Sequence, residues 1–154
     1  MTLVSQFTAG MPQLDIHTLS EEWALSAAME NHWALLSDSM GLPPSRWFDA
    51  QGDRMYAGVM AVRTEFDLDD PVREDDRVTV EAGLVALRKP HSLSECRFSV
   101  GGKVRASVRC LSSLIKRDTP GSNRKFARVA HLWQTPDHGP DLVEAALDRH
   151  HAMK

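Results

Sequence analysis

Two side chains in the first half of the chain can do acid–base or nucleophilic chemistry. His32 precedes Trp33 in a segment whose apolar residues recur with helical spacing, and Tyr56 is the only tyrosine. A neutral imidazole can orient a carbonyl group or carry a proton near pH 7. A phenol, with a pKa of about 10, is a poor nucleophile unless neighbours lower that pKa, but it donates hydrogen bonds without help. The sequence therefore predicts that His32 faces a carbonyl group and Tyr56 is a donor, with acylation of Tyr56 as the alternative.

Both residues also have a purely structural interpretation. His32 can be a core residue that donates one hydrogen bond to a backbone carbonyl, and Tyr56 can be a core aromatic with its hydroxyl at the rim. Arg54 and Arg63 are expected on the strand face opposite to Tyr56, which leaves the phenol without an activating charge. The candidate substrate-binding residues flank His32 or precede the helix: Asn31, Trp33, Asp15 and His17.

The remaining polar groups indicate no metal site and no resident cofactor. His150 and His151 have no companion ligands at metal spacing. Gly101-Gly102 is typical of a two-residue hairpin turn and not of a phosphate cradle. A group of basic residues can meet the phosphates of coenzyme A or an acidic carrier protein, with a solvated loop as the equal alternative. These residues are Lys116, Arg117, Arg124, Lys125 and Arg128.

A long helix must position His32. Ser20 is a good N-cap, acidic residues follow it, and Gly41 ends the segment. His32 is three residues after Met29 and four before Leu36, so it lies along the apolar face and points at whatever the helix covers. That face is predicted to consist of Leu25, Met29, Trp33, Leu36 and Met40.

The rest of the chain has the period of β-strands. Residues 54–66 are apolar on both alternating faces, which predicts a strand that is covered on one side by the helix and on the other side, or at its edge, by a second subunit. Strands are also predicted within 77–87, 93–100 and 103–115, a less certain first strand within 4–12, and a short polar helix within 141–150.

This order of elements predicts an α+β fold with one long helix wrapped by a curved antiparallel β-sheet, which is the hot-dog layout. We expect the hot-dog domain to span residues 1–130, and a C-terminal extension with a short helix and a frayed tail to span 131–154. An apolar edge strand left open would favour aggregation, so we expect a homodimer or a dimer-based oligomer.

Composition excludes several classes of function. The chain has 154 residues, 42% of them hydrophobic, and a formal charge of −3 with acids and bases interspersed. These values predict one globular domain without the basic surface of a nucleic-acid-binding protein. No signal peptide or membrane span is expected, since no window reaches about 18 apolar residues. Cys96 and Cys110 are expected to be buried free thiols of a cytoplasmic protein.

Several separated motifs resemble a hot-dog family from polyketide and nonribosomal-peptide biosynthesis clusters, the family of the leinamycin-pathway bifunctional acyltransferase/decarboxylase. The resemblance implies an acyl thioester of coenzyme A or of an acyl carrier protein as substrate, and a tyrosine at the position of Tyr56 as acyl acceptor. The leinamycin-type enzyme looks like two fused hot-dog units, whereas one unit fits this chain. The motifs cover roughly the first 65 residues: Gly10-Met11-Pro12, Leu19-Ser20-Glu21, His32-Trp33 and Arg54-Met55-Tyr56-Ala57.

Four functions follow as hypotheses. The resemblance favours a decarboxylase or acyltransferase acting on acyl thioesters, with coenzyme A or phosphopantetheine present only as part of the substrate. A thioesterase is the alternative, although the predicted inward helix face offers His32 and no carboxylate to activate water. A dehydratase would need a histidine paired with an acid, for which Asp15 is the only rough candidate. A non-catalytic module that binds a carrier protein or an acyl ligand is the alternative of a different class.

Overall fold

The computed structural model describes residues 1–130 and 133–154, which form six strands and two α-helices. The predicted order of elements is confirmed, and each predicted strand is present with its ends shifted by a few residues. The elements are β1 Thr2–Thr8, α1 Glu21–Met40, β2 Met55–Phe66, β3 Arg77–Arg88, β4 His91–Val100, β5 Lys103–Arg117, β6 Phe126–Ala127 and α2 Pro140–Ala152. A single 3₁₀ turn, Pro44–Arg46, follows α1.

The strands form one antiparallel sheet in the order β1-β3-β4-β5-β2, and β6 pairs with the end of β5. Gly101 and Gly102 connect β4 to β5 with φ angles of 58° and 80°, as the predicted two-residue hairpin requires. The curved sheet wraps the single long helix, so the chain has the predicted hot-dog fold. Neither helix of the described residues is long and apolar enough to cross a membrane.

Helix α1 lies on the inner face of the sheet and has the predicted ends. The Ser20 hydroxyl accepts a hydrogen bond from the Trp23 N–H, and Gly41 ends the helix with a φ of 68°. The predicted apolar face is wrong by about one residue, because Leu25, Met29 and Trp33 are only half-buried. Small side chains lie against the sheet instead, which lets the helix approach it closely. The buried face consists of Ala24, Ala28, His32, Leu35, Leu36, Ser39 and Met40.

The outer face of the sheet is partly covered by α2. Val143 and Ala146 of this helix pack on Leu93 and Leu111, which point away from α1. The outer face of the sheet thus offers apolar side chains, and their burial explains why a short polar helix can pack there. The division of the chain after residue 130 stays a prediction.

Strand β2 is an edge strand, because β5 is its only sheet neighbour among the described residues. Met55 at its start is buried, whereas Val59 and Val62 in its middle are 46% and 42% exposed. The strand is therefore covered by the helix over part of its length and has an open edge. This arrangement leaves room for the second subunit that the sequence predicts.

Cys96 and Cys110 are buried free thiols, as predicted. Burial raises the pKa of each thiol to about 12. Both thiols therefore stay protonated at neutral pH and are not nucleophiles.

Candidate functional site

His32 is fully buried between α1 and the sheet, and both of its ring nitrogens are hydrogen-bonded. Nδ1 is 2.7 Å from the Ser94 hydroxyl of β4, and Nε2 is 2.7 Å from the Ser112 hydroxyl of β5. The Ser112 hydroxyl is in turn 2.8 Å from that of Ser92. A neutral imidazole has one donor and one acceptor nitrogen, so the two hydroxyls satisfy it completely.

The surroundings of His32 keep it uncharged. Burial lowers its pKa from 6.5 to about 4, because the apolar interior disfavours the imidazolium. The hydrogen-bond partners are hydroxyls and not the single backbone carbonyl of the structural interpretation. This network holds the helix to β4 and β5, and the side chain does not reach solvent. A catalytic role for His32 stays a prediction.

The lowered pKa of His32 predicts how stability depends on pH. The unfolded chain binds a proton at His32 near pH 6.5 and the folded chain only near pH 4. The folded state is therefore favoured above pH 6.5, and that contribution is lost as the pH falls from 6.5 to 4. Relative to a His32→Gln variant, we expect the wild-type free energy of unfolding to fall by about 1.4 kcal/mol per pH unit in this window.

Urea unfolding of both proteins at several pH values measures this difference. Groups other than His32 contribute equally to the two profiles and cancel in the comparison. Parallel profiles between pH 6.5 and pH 4 would show that the imidazole is already charged in the folded protein.

Tyr56 lies on the outer face of β2, opposite to Met55, which faces α1. Its side chain is 36% exposed. The Arg117 guanidinium carbon lies 5.0 Å from the centre of the Tyr56 ring, and that of Arg54 lies 5.9 Å from it.

The prediction that Arg54 and Arg63 are on the opposite strand face is wrong. Arg54 is two residues from Tyr56 and shares its face. The β-bulge between Val59 and Ala61 brings Arg63 to the outer face as well. Two positively charged groups therefore lie near the Tyr56 ring, whereas the sequence predicted none there.

A cavity of about 660 Å³ opens near the end of β5, and Tyr56 itself does not line it. Ile115, the direct strand partner of Tyr56, is one of its walls. Lys89, His91 and Arg128 also line the cavity, together with the exposed Phe126. A space of this size, with apolar and basic walls, suits an apolar chain that ends in a negatively charged group.

The loop before α1 presents a carboxylate to solvent. Oδ1 of Asp15 accepts hydrogen bonds from the backbone N–H groups of His17 and Thr18, at 2.8 Å and 2.9 Å. The Thr18 bond first, and then the His17 bond, lower the pKa of Asp15 below its usual value. Asp15 is therefore ionised at neutral pH, and its second oxygen makes no hydrogen bond within the described residues.

The other predicted substrate-binding residues have varied surroundings. His17 is exposed in the same loop as Asp15. Asn31 is half-buried and donates to the Ala27 carbonyl at 2.8 Å. Trp33 is half-buried and packs edge-to-face on Trp47 at 6.3 Å. A substrate-binding role for each of them stays a prediction.

Lys116 is not available to a phosphate group, although the sequence suggested this role. It is 6% exposed and donates to Asp49 at 2.8 Å and to Asp53 at 2.7 Å. The Asp49 carboxylate also accepts from the backbone N–H of Asp53 and of Ala130. Lys116 thereby fixes the turn before β2. No local sequence pattern indicates this contact, since more than 60 residues separate Lys116 from both carboxylates.

Within one chain, His32, Tyr56 and Asp15 are not brought together. His32 is on the inner face of the sheet and Tyr56 on the outer face. The start of α1 is tied to the far end of β2, where the Thr64 hydroxyl donates to Glu21 at 3.0 Å. Thr64 is eight residues from Tyr56, which is about 26 Å along an extended strand. The Asp15 loop and Tyr56 are therefore at opposite ends of β2.

No protein-family model matches the chain, and no curated protein matches it significantly in sequence. Solved structures do resemble it. A probable thioesterase from Bartonella henselae is 14% identical with a TM-score of 0.63, and the match covers 84% of this chain and 99% of that one. The 1,4-dihydroxy-2-naphthoyl-CoA thioesterase from Synechocystis is 17% identical with a TM-score of 0.62, covering 88% and 94%.

The DHNA-CoA thioesterase from Staphylococcus aureus is 13% identical with a TM-score of 0.62, and the match covers 96% of this chain and 90% of that one. Identities this low establish the fold and nothing finer. The chain has the fold of these hot-dog thioesterases.

Proposed function

We propose that the chain hydrolyses acyl thioesters of coenzyme A or of an acyl carrier protein, and that Asp15 activates the attacking water. The observation that carries this proposal is the geometry of Asp15: one oxygen is fixed by two backbone N–H groups, and the other is free in solvent. The structural neighbours named as thioesterases support hydrolysis better than decarboxylation. The carboxylate that the inward helix face lacks is thus supplied by the loop before the helix.

The chemistry requires one proton acceptor and a stabilised oxyanion. Water attacks the thioester carbonyl carbon while the Asp15 carboxylate takes its proton, and the C–S bond then breaks to release a carboxylic acid and a thiol that regains the proton. The first turn of α1 begins at Glu21, shortly after Asp15. Its backbone N–H groups and positive dipole end favour negative charge on the carbonyl oxygen.

A homodimer would bring Asp15 of one subunit close to Tyr56 of the other. Two copies of β2 that pair antiparallel along their open edges would place the Tyr56 end of one strand beside the Phe66 end of the other. The Phe66 end of each strand lies near the Asp15 loop of its own subunit, because Glu21 at the start of α1 contacts Thr64. The open edge of β2, with its exposed Val59, supports this pairing, because the pairing would leave no unpaired strand edge there. Each cleft then combines Asp15 of one subunit with Tyr56 and the basic cavity of the other.

Product analysis tests the proposal. The protein is incubated with hexanoyl-, benzoyl- and malonyl-coenzyme A, and the free thiol, free acid and carbon dioxide are quantified. Hydrolysis predicts equal amounts of thiol and acid. Carbon dioxide from malonyl-coenzyme A with the thioester intact would support a decarboxylase, and unchanged substrates would support a non-catalytic binding module.

Acyl transfer to Tyr56, with decarboxylation, is the second candidate function. The guanidinium groups of Arg117 and Arg54 near its ring favour it, because they can hold the carboxylate of a malonyl-type substrate beside the phenol. The resemblance to the leinamycin-type family implies the same role for Tyr56. On the hydrolase proposal, Tyr56 donates a hydrogen bond to the substrate and carries no acyl group.

Tyr56→Phe separates these two roles, because it removes one hydroxyl group and little volume. We expect the variant to hydrolyse thioesters about 10²-fold more slowly, as when a single donor to developing charge is removed. Intact mass spectrometry of the wild type after incubation with malonyl-coenzyme A is expected to show no adduct. An acyl adduct on the wild type that is absent from the Phe variant would instead establish Tyr56 as the acceptor.

A further inference from the structure

The outer face of the sheet has a groove that takes no part in the proposed hydrolysis. Its volume is about 300 Å³, and it lies between β2, β5, β4 and the last turns of α2. This volume is at the small end of the range for ligand pockets, roughly 300–1,000 Å³. Most of the surface is apolar and comes from Ala61, Val62, Leu93, Leu111, Ala146 and Met153.

Three arginines surround the apolar floor of this groove. Arg63 and Arg109 are directly opposite each other in the register of β2 and β5, a placement that destabilises a sheet when the charges are alike. Each has one carboxylate partner, Glu65 and Glu95 respectively, but neither glutamate lines the groove. Arg149, from the end of α2, forms no ion pair within the described residues. Among the described residues, the groove therefore has one unpaired positive charge, that of Arg149, beside two arginines that each have a carboxylate partner.

We propose that this groove binds an amphipathic anion, a molecule with a short apolar chain or ring and a carboxylate or phosphate headgroup. The apolar part would cover Leu93 and Leu111, which removes their surface from water. The headgroup would lie among the guanidinium groups of Arg63, Arg109 and Arg149, whose planar forks match carboxylate and phosphate oxygens.

Titration with simple probes tests the groove by isothermal calorimetry. Octanoate and octyl phosphate carry the two headgroups, 1-octanol has the chain without charge, and acetate has the charge without the chain. We expect octanoate or octyl phosphate to bind once per chain, and 1-octanol and acetate to bind at least tenfold more weakly. Tighter binding of octanoate would indicate a carboxylate ligand, and tighter binding of octyl phosphate would indicate a phosphate ligand.

Two charge variants locate the binding site. Arg149 is exposed at the end of α2, so Arg149→Gln is expected to fold normally and to weaken octanoate binding about tenfold, through the loss of a charge-assisted hydrogen bond. Arg46→Gln is the matched control, because Arg46 is also exposed, forms no ion pair within the described residues and does not line the groove. Equal losses in both variants, or equal binding of octanoate and 1-octanol, would overturn the proposal. Neither outcome depends on whether the chain hydrolyses thioesters.

Discussion

Replacing Asp15 by asparagine is expected to lower kcat/KM for thioester hydrolysis by about 10³-fold, which is within the range for loss of a general base. The amide oxygen of asparagine can still accept hydrogen bonds from the N–H groups of His17 and Thr18, so the loop keeps its conformation. What the variant lacks is a group that can take a proton from water. Release of free thiol, followed at saturating and at low substrate concentration, measures the loss.

Glu22→Gln is the matched control for Asp15→Asn. Glu22 is an exposed carboxylate in the first turn of α1, and its side chain has no hydrogen bond or ion pair within the described residues. Its loss changes the local charge by the same amount without removing the proposed base. If both variants lose the same activity, the effect of Asp15 is one of local charge. If Asp15→Asn retains full activity, Asp15 is not the base.

His32→Ala is expected to have the largest effect on stability, about 3–5 kcal/mol in the free energy of unfolding. The substitution leaves the buried Ser94 hydroxyl without its partner, and such an unsatisfied group costs about 1–3 kcal/mol. The Ser112 hydroxyl loses one of its two partners and keeps Ser92. A cavity in place of the imidazole adds to this cost. Chemical denaturation at pH 8, where the imidazole is neutral in both states, isolates the loss of packing and hydrogen bonds.

His17→Ala serves as the control, because an exposed histidine is expected to change stability by less than about 0.5 kcal/mol. A loss below about 1 kcal/mol for His32→Ala would contradict the structural role of the hydrogen-bond network. Normal stability with strongly reduced turnover would favour the acid–base role that the sequence suggested for His32.

The sequence predicts the elements of this fold well, because each rests on local signals. Ser20 and Gly41 define the ends of α1, and alternation defines β3, β4 and β5. The inward direction of His32 is also predicted correctly, since it depends only on helical spacing. The apolar face was misplaced because large side chains such as Trp33 were expected to be the buried ones, whereas alanines lie closest to the sheet.

The surroundings of the candidate residues depend on pairing between distant strands, which one sequence does not specify. Ser94 and Ser112 meet His32 only because the register of β4 and β5 places both hydroxyls under α1. Lys116 is buried because the turn before β2 folds over the end of β5. The separation of Asp15 from Tyr56 likewise follows from the topology and not from residue type.

A single turnover in water enriched in ¹⁸O tests the central claim most directly, because it follows the oxygen that Asp15 is proposed to activate. The protein in excess over hexanoyl-coenzyme A is expected to release hexanoic acid that carries one ¹⁸O atom, together with one equivalent of free coenzyme A. Mass spectrometry of the acid gives the result. Release of unlabelled acid, or the absence of any acid while thioester remains, would contradict hydrolysis by an activated water.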